Sequence, residues 1–218
     1  MKISISESLK KANPNLSLGI VEANVSVEKH SSDLWKEIDE GIKTSGSKYN
    51  IDGVAQLPEI AAVRETYRQL GKDPGRYRGS AEALLRRILQ GKGLYKVNNV
   101  VDINNLVSIE TRHPVGSYDT KNISGEIVFG IGEPGEVYKG IGKEMVNIAE
   151  LPVFKDEKGP YGSPTSDSER AMITQNTRHI LMIIISCTGA GLKEGTERAA
   201  ELLKKYASAE IINTSIIS

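Results

Sequence analysis

The chain has 218 residues, enough for one large domain or two small ones with a substantial core. Its 28 Lys and Arg are balanced by 28 Asp and Glu, so no global field draws it to nucleic acid and any such contact must be local. One cysteine, Cys187, excludes an internal disulfide and suits a reducing cytoplasm, while no apolar run approaches the length of a membrane span.

In chain order, the N-terminus MKISISESLKK lacks an apolar signal core, which points to a soluble cytoplasmic protein. Leu18 to Val27 is rich in β-branched residues and reads as a strand. Ser31 to Ile42 places Leu34, Trp35, Ile38 and Ile42 on one helical face behind a Ser-Ser-Asp start. A second helix runs from Leu57 to Leu70, with proline in its first turn and Ile60, Val63, Tyr67 and Leu70 at helical spacing. Gly71 to Gly75 is a turn, and Ser80 caps a third helix that ends near Gly91. Val100, Ile103, Leu106, Val107 and Ile109 suit a helical face better than a strand. Glu126 to Ile131 and Glu144 to Phe154 read as strands between glycine-rich turns, and Arg178 to Ser186 as a central strand covered on both faces. An amphipathic helix from Lys193 to Tyr206 is expected to close the fold. Strands and helices mix without a regular βαβ repeat, which predicts an α+β layered domain.

The segment Asn98 to Asp119, NNVVDINNLVSIETRHPVGSYD, resembles the core motif of the B3/B4 editing module in the β subunit of phenylalanyl-tRNA synthetase. Val100, Val101, Asp102, Asn105, Val107, Glu110, Pro114 and Asp119 fall in register with it, with Tyr118 at an aromatic position. Ala83 to Val97 resembles the preceding helix and turn. The following hairpin is matched by Gly125-Glu126-Ile127-Val128 and by Gly132 to Glu136. The resemblance implies a sheet sandwich flanked by helices. It also implies a B3/B4-like domain over 57–218 with residues 1–56 as a strand–helix extension packed on it, the whole forming one structural unit.

On the same resemblance, Asn104 and Asn105 align with a Thr-Asn pair that helps form the editing pocket. An asparagine offers a donor and an acceptor, enough to hold an ester carbonyl, a ribose hydroxyl or a water. The alternative is that both serve the backbone beside Asp102. Gly116 stands where the family has a pocket histidine, so the loop is expected to be tighter and to leave a ring-sized space. His113 and Ser117 are then the nearby polar candidates. Either the pocket takes a different aminoacyl group, or hydrolysis is lost and binding remains. Lys158 to Met172 aligns with the family's glycine-rich loop: Gly159, Gly162, Ser163, Thr165 and Ser166 are candidate substrate contacts. Its pocket glutamate has two candidate counterparts, Asp167 and Glu169. The competing reading is a turn in which Ser166 and Glu169 form a capping box.

Between Arg64 and Lys96 nine Lys and Arg stand against Glu65, Asp73 and Glu82. Arg64, Arg68 and Lys72 recur every four residues, and Arg76, Arg78, Arg86 and Arg87 extend the basic surface, the expected contact for a tRNA backbone. Aromatic residues make up only 5 % of the chain, too few for a stacking platform of the kind that binds single strands. His30, His113 and His179 are scattered and Cys187 is alone, so neither a metal nor a cofactor is expected. Gly130-x-Gly132 is followed by no helix and is not a dinucleotide fingerprint. No ATP-binding or aminoacylation core is present, so tRNA charging is not expected. The function implied is an editing hydrolase that cleaves a mischarged aminoacyl-tRNA in trans. The alternative is a binding module for tRNA or an amino acid without hydrolysis. No DNA or membrane partner is expected.

Overall fold

The longest apolar run, Ile180 to Ile185, becomes the hinge between two hydrophobic cores. In the computed structural model, which describes residues 1–218, Ile180, Met182 and Ile184 face one core and Leu181, Ile183 and Ile185 the other. That division is the two-residue period of a strand buried on both faces.

The elements run as β1 (Ile3–Ile5), α1 (Glu7–Ala12), β2 (Ser17–Asn24), α2 (Ser32–Lys48), α3 (Pro58–Gln69), α4 (Ser80–Leu89), α5 (Asn99–Thr111), β3 (Val115–Asp119) and β4 (Ile127–Ile131). They continue with β5 (Val137–Lys139), β6 (Met145–Asn147), β7 (Pro152–Asp156), β8 (Gly159–Gly162), β9 (His179–Ser186), α6 (Leu192–Ala207) and β10 (Glu210–Ile217). One antiparallel sheet has the order β10-β2-β9-β3. The other has the order β1-β4-β7-β8, with β1 parallel to β4 and the other pairs antiparallel. β5 and β6 form a separate hairpin. Helices α2, α4, α5 and α6 cover one face of the first sheet. The other face packs on Ile127, Phe129, Val153, Phe154 and Tyr161 of the second sheet, with Val63 and Tyr67 of α3. The fold is therefore α+β, a sheet sandwich with helices on one side, and no helix is long and apolar enough to cross a membrane.

Several local expectations are corrected. The helix begun near Ser31 runs on to Lys48 rather than ending at Ile42. Glu144 to Phe154 is two strands, because Asn147 accepts a hydrogen bond from the Ala149 amide and Glu150 takes a left-handed φ of 60°. Helix α6 does not close the fold: β10 follows and lies along β2. The stretch after Pro114, read as a loop, is the edge strand β3. Residue 79, not Ser80, is the N-cap of α4. The competing reading, a Ser166–Glu169 capping box, does not form; Ser168 instead caps the short 3-10 turn at Glu169–Ala171 by accepting from the Arg170 amide.

Helix α5 carries the two asparagines and is fixed at its start by buried polar groups. Asn98 caps it by accepting from the Val101 amide. The Asp102 carboxylate accepts from the Trp35 indole at 2.7 Å and from the Val97 amide at 3.0 Å. Asn99 ties the helix to Ser26, Glu28 and Tyr206 backbone groups.

Candidate functional site

Helix α4 sorts its side chains into three directions. Ala81, Leu85 and Ile88 are buried. Glu82, only 2 % exposed, is gripped from the side by Arg64 and Arg86. Ser80, Ala83, Leu84, Arg87 and Gln90, at helical spacing, line an open groove of about 420 Å³. Arg78 precedes the helix at one end of that wall, and Lys92 and Tyr95 follow it. Asn105 of α5 and Thr165, from the loop after β8, complete the lining. That loop is tied to the helix start, since the Ser80 amide donates to the Pro164 carbonyl at 2.7 Å.

The charged residues lining this groove are Arg78, Arg86, Arg87 and Lys92, with no carboxylate among them. Glu82 lies on α4 itself, but its engagement with Arg64 and Arg86 takes it out of the lining. Arg87 lies 3.8 Å above the Tyr95 ring centroid and donates to the Tyr95 hydroxyl at 2.9 Å and the Lys92 carbonyl at 3.3 Å. Its Nε and the Ser80 hydroxyl are buried without partners. A groove whose lining charges are all positive favours an anionic ligand.

A second constellation lies behind Thr165, in the seam between the sheets. Gly116 and Tyr118 lie on the same face of β3. A Cβ at position 116 would stand 2.7 Å from Tyr118 Cζ, and one at Gly162 would stand 2.6 Å from it. The Tyr118 ring therefore fills the room that both glycines leave. This corrects the expectation of an open, ring-sized space at Gly116. The Tyr118 hydroxyl donates to Asp167 at 2.9 Å, and the Ser163 amide points to the same oxygen at 3.3 Å. Burial pushes the Asp167 carboxyl up to about 6, against those two donors, which pull the other way. The Tyr138 hydroxyl donates to the Ser166 carbonyl and lies 3.2 Å from Ser163 Oγ, which donates to the same carbonyl. Tyr67 and Thr165 share a hydrogen bond of 2.6 Å, so Thr165 belongs to both constellations.

The B3/4 domain family profile matches residues 62–208, most of the chain. The chain belongs to the B3/4 domain family. Over 107 residues it is 33 % identical to the phenylalanine–tRNA ligase β subunit of Geobacter metallireducens and 26 % identical to that of Protochlamydia amoebophila. Each match takes in 48 % of this chain and 13 % of the relative, so the chain spans a small part of those proteins. A solved N-terminal fragment of the phenylalanyl-tRNA synthetase β subunit from Pyrococcus horikoshii aligns over 96 % of this chain and 50 % of its own, with a TM-score of 0.48 and 13 % identity.

In this B3/4 domain the residues singled out in the sequence fall into separate places. Asn105, Thr165, Arg78, Arg86 and Arg87 share the α4 groove. Asn104 accepts from the Ser117 hydroxyl at 2.9 Å, which places Ser117 on the helix side of β3, opposite Gly116. Gly162, Ser163, Ser166 and Asp167 belong to the seam. Glu169 pairs with Lys139 at 3.0 Å, and Gly159 turns the β7–β8 hairpin with a φ of 106°. His113 is buried beside the start of α6, its Nε2 3.0 Å from the Ala190 carbonyl, and it lines a different groove with Arg112 and Glu194. Burial holds its pKa below the usual imidazole value. Arg64 pairs with Glu82, Arg68 with Glu65 and Lys72 with Glu150, whereas the Arg76 guanidinium lies 5.8 Å from the Tyr77 ring centre. Sequence reasoning did not single out Ser80 as a groove residue, nor Tyr95 or Tyr118. The motif had marked Tyr118 only as an aromatic position, and the glycine two residues before it was the one local hint of a ring.

Proposed function

We propose that this chain binds the aminoacyl end of tRNA in the α4 groove and, acting in trans, hydrolyses the ester of a mischarged amino acid. The observation that carries the reading is the meeting of Asn105 and Thr165 with a lining whose charges are all positive. Kinship with a domain of phenylalanine–tRNA ligase β subunits supplies the substrate class. Arg78 and Lys92 would hold phosphates, placing the terminal ribose and its ester over Asn105. An aminoacyl ester is already activated, so orientation of one water and hydrogen bonds to the developing oxyanion can suffice. The Asn105 amide offers the donor and the Thr165 hydroxyl, fixed by Tyr67, a second polar contact.

A second reading, binding without hydrolysis, is favoured by one observation: neither a carboxylate nor an imidazole lines the groove. The two separate in a single assay. Purified protein is incubated with a panel of mischarged tRNAs, alongside Asn105→Ala. Release of one amino acid, slowed about 100-fold in the variant, is the expected result, in line with loss of one oxyanion donor. Absence of release from every tRNA, with salt-sensitive binding retained, would leave the binding module. With neither a carboxylate nor an imidazole in the groove, the release rate should also lack the bell-shaped dependence on pH near neutrality.

A further inference from the structure

We infer that Tyr95 is a single-base stacking subsite, which holds one unpaired nucleobase at the mouth of the α4 groove. The inference rests on the groove being the tRNA site and names its base contact. Tyr95 is 62 % exposed, the most exposed large hydrophobic residue of the chain, yet it is not loose. Arg87 stacks against the ring at 3.8 Å and also binds its hydroxyl, fixing the ring from one side. Its high exposure leaves ring surface open to a planar ligand. A base stacked there would form a base–tyrosine–guanidinium sandwich, in which the cation reinforces the ring it backs.

The surroundings select a nucleotide over a plain aromatic compound. Lys92 and Arg78 line the same groove as the ring, and no carboxylate opposes a phosphate there. Composition argues against a stacking platform for single strands, but one ring suffices for one base, and every base has a face to offer it. The subsite is therefore indifferent to base identity. It suits the unpaired end of a strand rather than a duplex, whose bases are already stacked.

The test uses a short single-stranded RNA carrying 2-aminopurine, whose fluorescence falls when the base stacks. Wild-type protein at low salt should bind it with quenching. Tyr95→Ala and Tyr95→Leu should weaken binding by roughly 5- to 150-fold and abolish the quench, whereas Tyr95→Phe should keep both. Exposure of the side chain predicts that all three variants fold with unchanged far-ultraviolet circular dichroism. Equal affinity and quenching in Tyr95→Ala would overturn the subsite, as would failure of the wild-type protein to bind the oligonucleotide. Ester hydrolysis is scored separately on mischarged tRNA. Quenched binding without hydrolysis would sink the deacylase reading and leave the subsite standing; hydrolysis without quenched binding would do the reverse.

Discussion

The α4 groove and the Tyr118 seam touch at Thr165, yet they are built on opposite terms. In the groove, hydrogen-bonding capacity is left over: Ser80 Oγ and Arg87 Nε are unpartnered and the charges lining it share one sign. In the seam, Tyr118, Asp167, Ser163, Tyr138 and the Ser166 carbonyl bond one another, and two glycines are spent so that one ring can fit. Buried polar groups that satisfy one another specify a unique packing. Polarity alone does not separate them, since the Tyr161 hydroxyl in the seam is also unpartnered; the groove is open with charges of one sign, whereas the Tyr118 ring closes the seam. Closed and bonded to itself, the seam is a brace for the groove, and Thr165, held by Tyr67 and Ser163, is where the brace is applied.

The largest expected effect breaks the seam. Gly116→Ala drives a methyl group into the Tyr118 ring and should cost about 3 kcal/mol, at the upper end of ordinary overpacking. In a Tyr118→Ala background the obstacle is gone, and the same substitution should cost under about 1 kcal/mol. Urea denaturation of the four proteins measures both values. An equal cost in the two backgrounds would mean that the ring is not what excludes a side chain at position 116.

Asp167 gives the next effect, through pH. Its folded pKa, about 6, lies above the ordinary value of 3.8, so between those values the folded state holds a proton that the unfolded state releases. The resulting stabilisation is complete below about pH 4, declines as the pH rises through 6, and is absent above; two units correspond to about 3 kcal/mol. Glu37 works in the opposite sense. Burial opposes its ionisation, but hydrogen bonds from Tyr206, Arg198 and Lys205 prevail and hold it near 2, so its stabilisation is present above about pH 4.5 and lost towards 2. Asp167→Asn should flatten the stability profile between pH 4 and 6 and leave the more acidic limb unchanged. Loss of the acidic limb instead would assign the titration to the wrong carboxylate.

How much of this was legible in the sequence depends on how local the cause is. Helix α5 could be read from the spacing of Val100, Ile103, Leu106 and Val107, and β9 from its unbroken apolar run, because both signals lie within one element. The edge strand β3 was not readable: Gly116 presents no side chain, which erases half of the alternation on which strand recognition depends. β10 carries the same apolar residues at both ends but takes its identity from pairing with β2, nearly the whole chain away. The groove was half legible. A motif could nominate Asn105 and charge counting could nominate Arg78 and Arg87, but only tertiary structure joins them to Thr165. Nor could counting tell engaged cations from free ones, since the partners of Arg64 and Lys72 lie on other elements.

The smallest effect follows from that last distinction and sharpens the groove's side of the contrast. Arg78 and Lys92 line the groove, and neither forms an ion pair within the chain, so each should release about one counterion when it meets a phosphate. Arg78→Ala and Lys92→Ala should each weaken tRNA binding for every sequence alike and lower the slope of log affinity against log salt by about 1. Arg68 is equally basic in the sequence, but it sits on α3 paired with Glu65 at 2.9 Å, outside the groove. Arg68→Ala should change neither affinity nor slope, and the exposed pair it breaks is worth at most about 1 kcal/mol of stability. The comparison has force because the two residues carry the same charge and differ in placement and pairing. If Arg68→Ala lowers the slope as much as Arg78→Ala, RNA follows the basic stretch as the sequence draws it, along α3, and the groove loses its claim to be the place where tRNA binds.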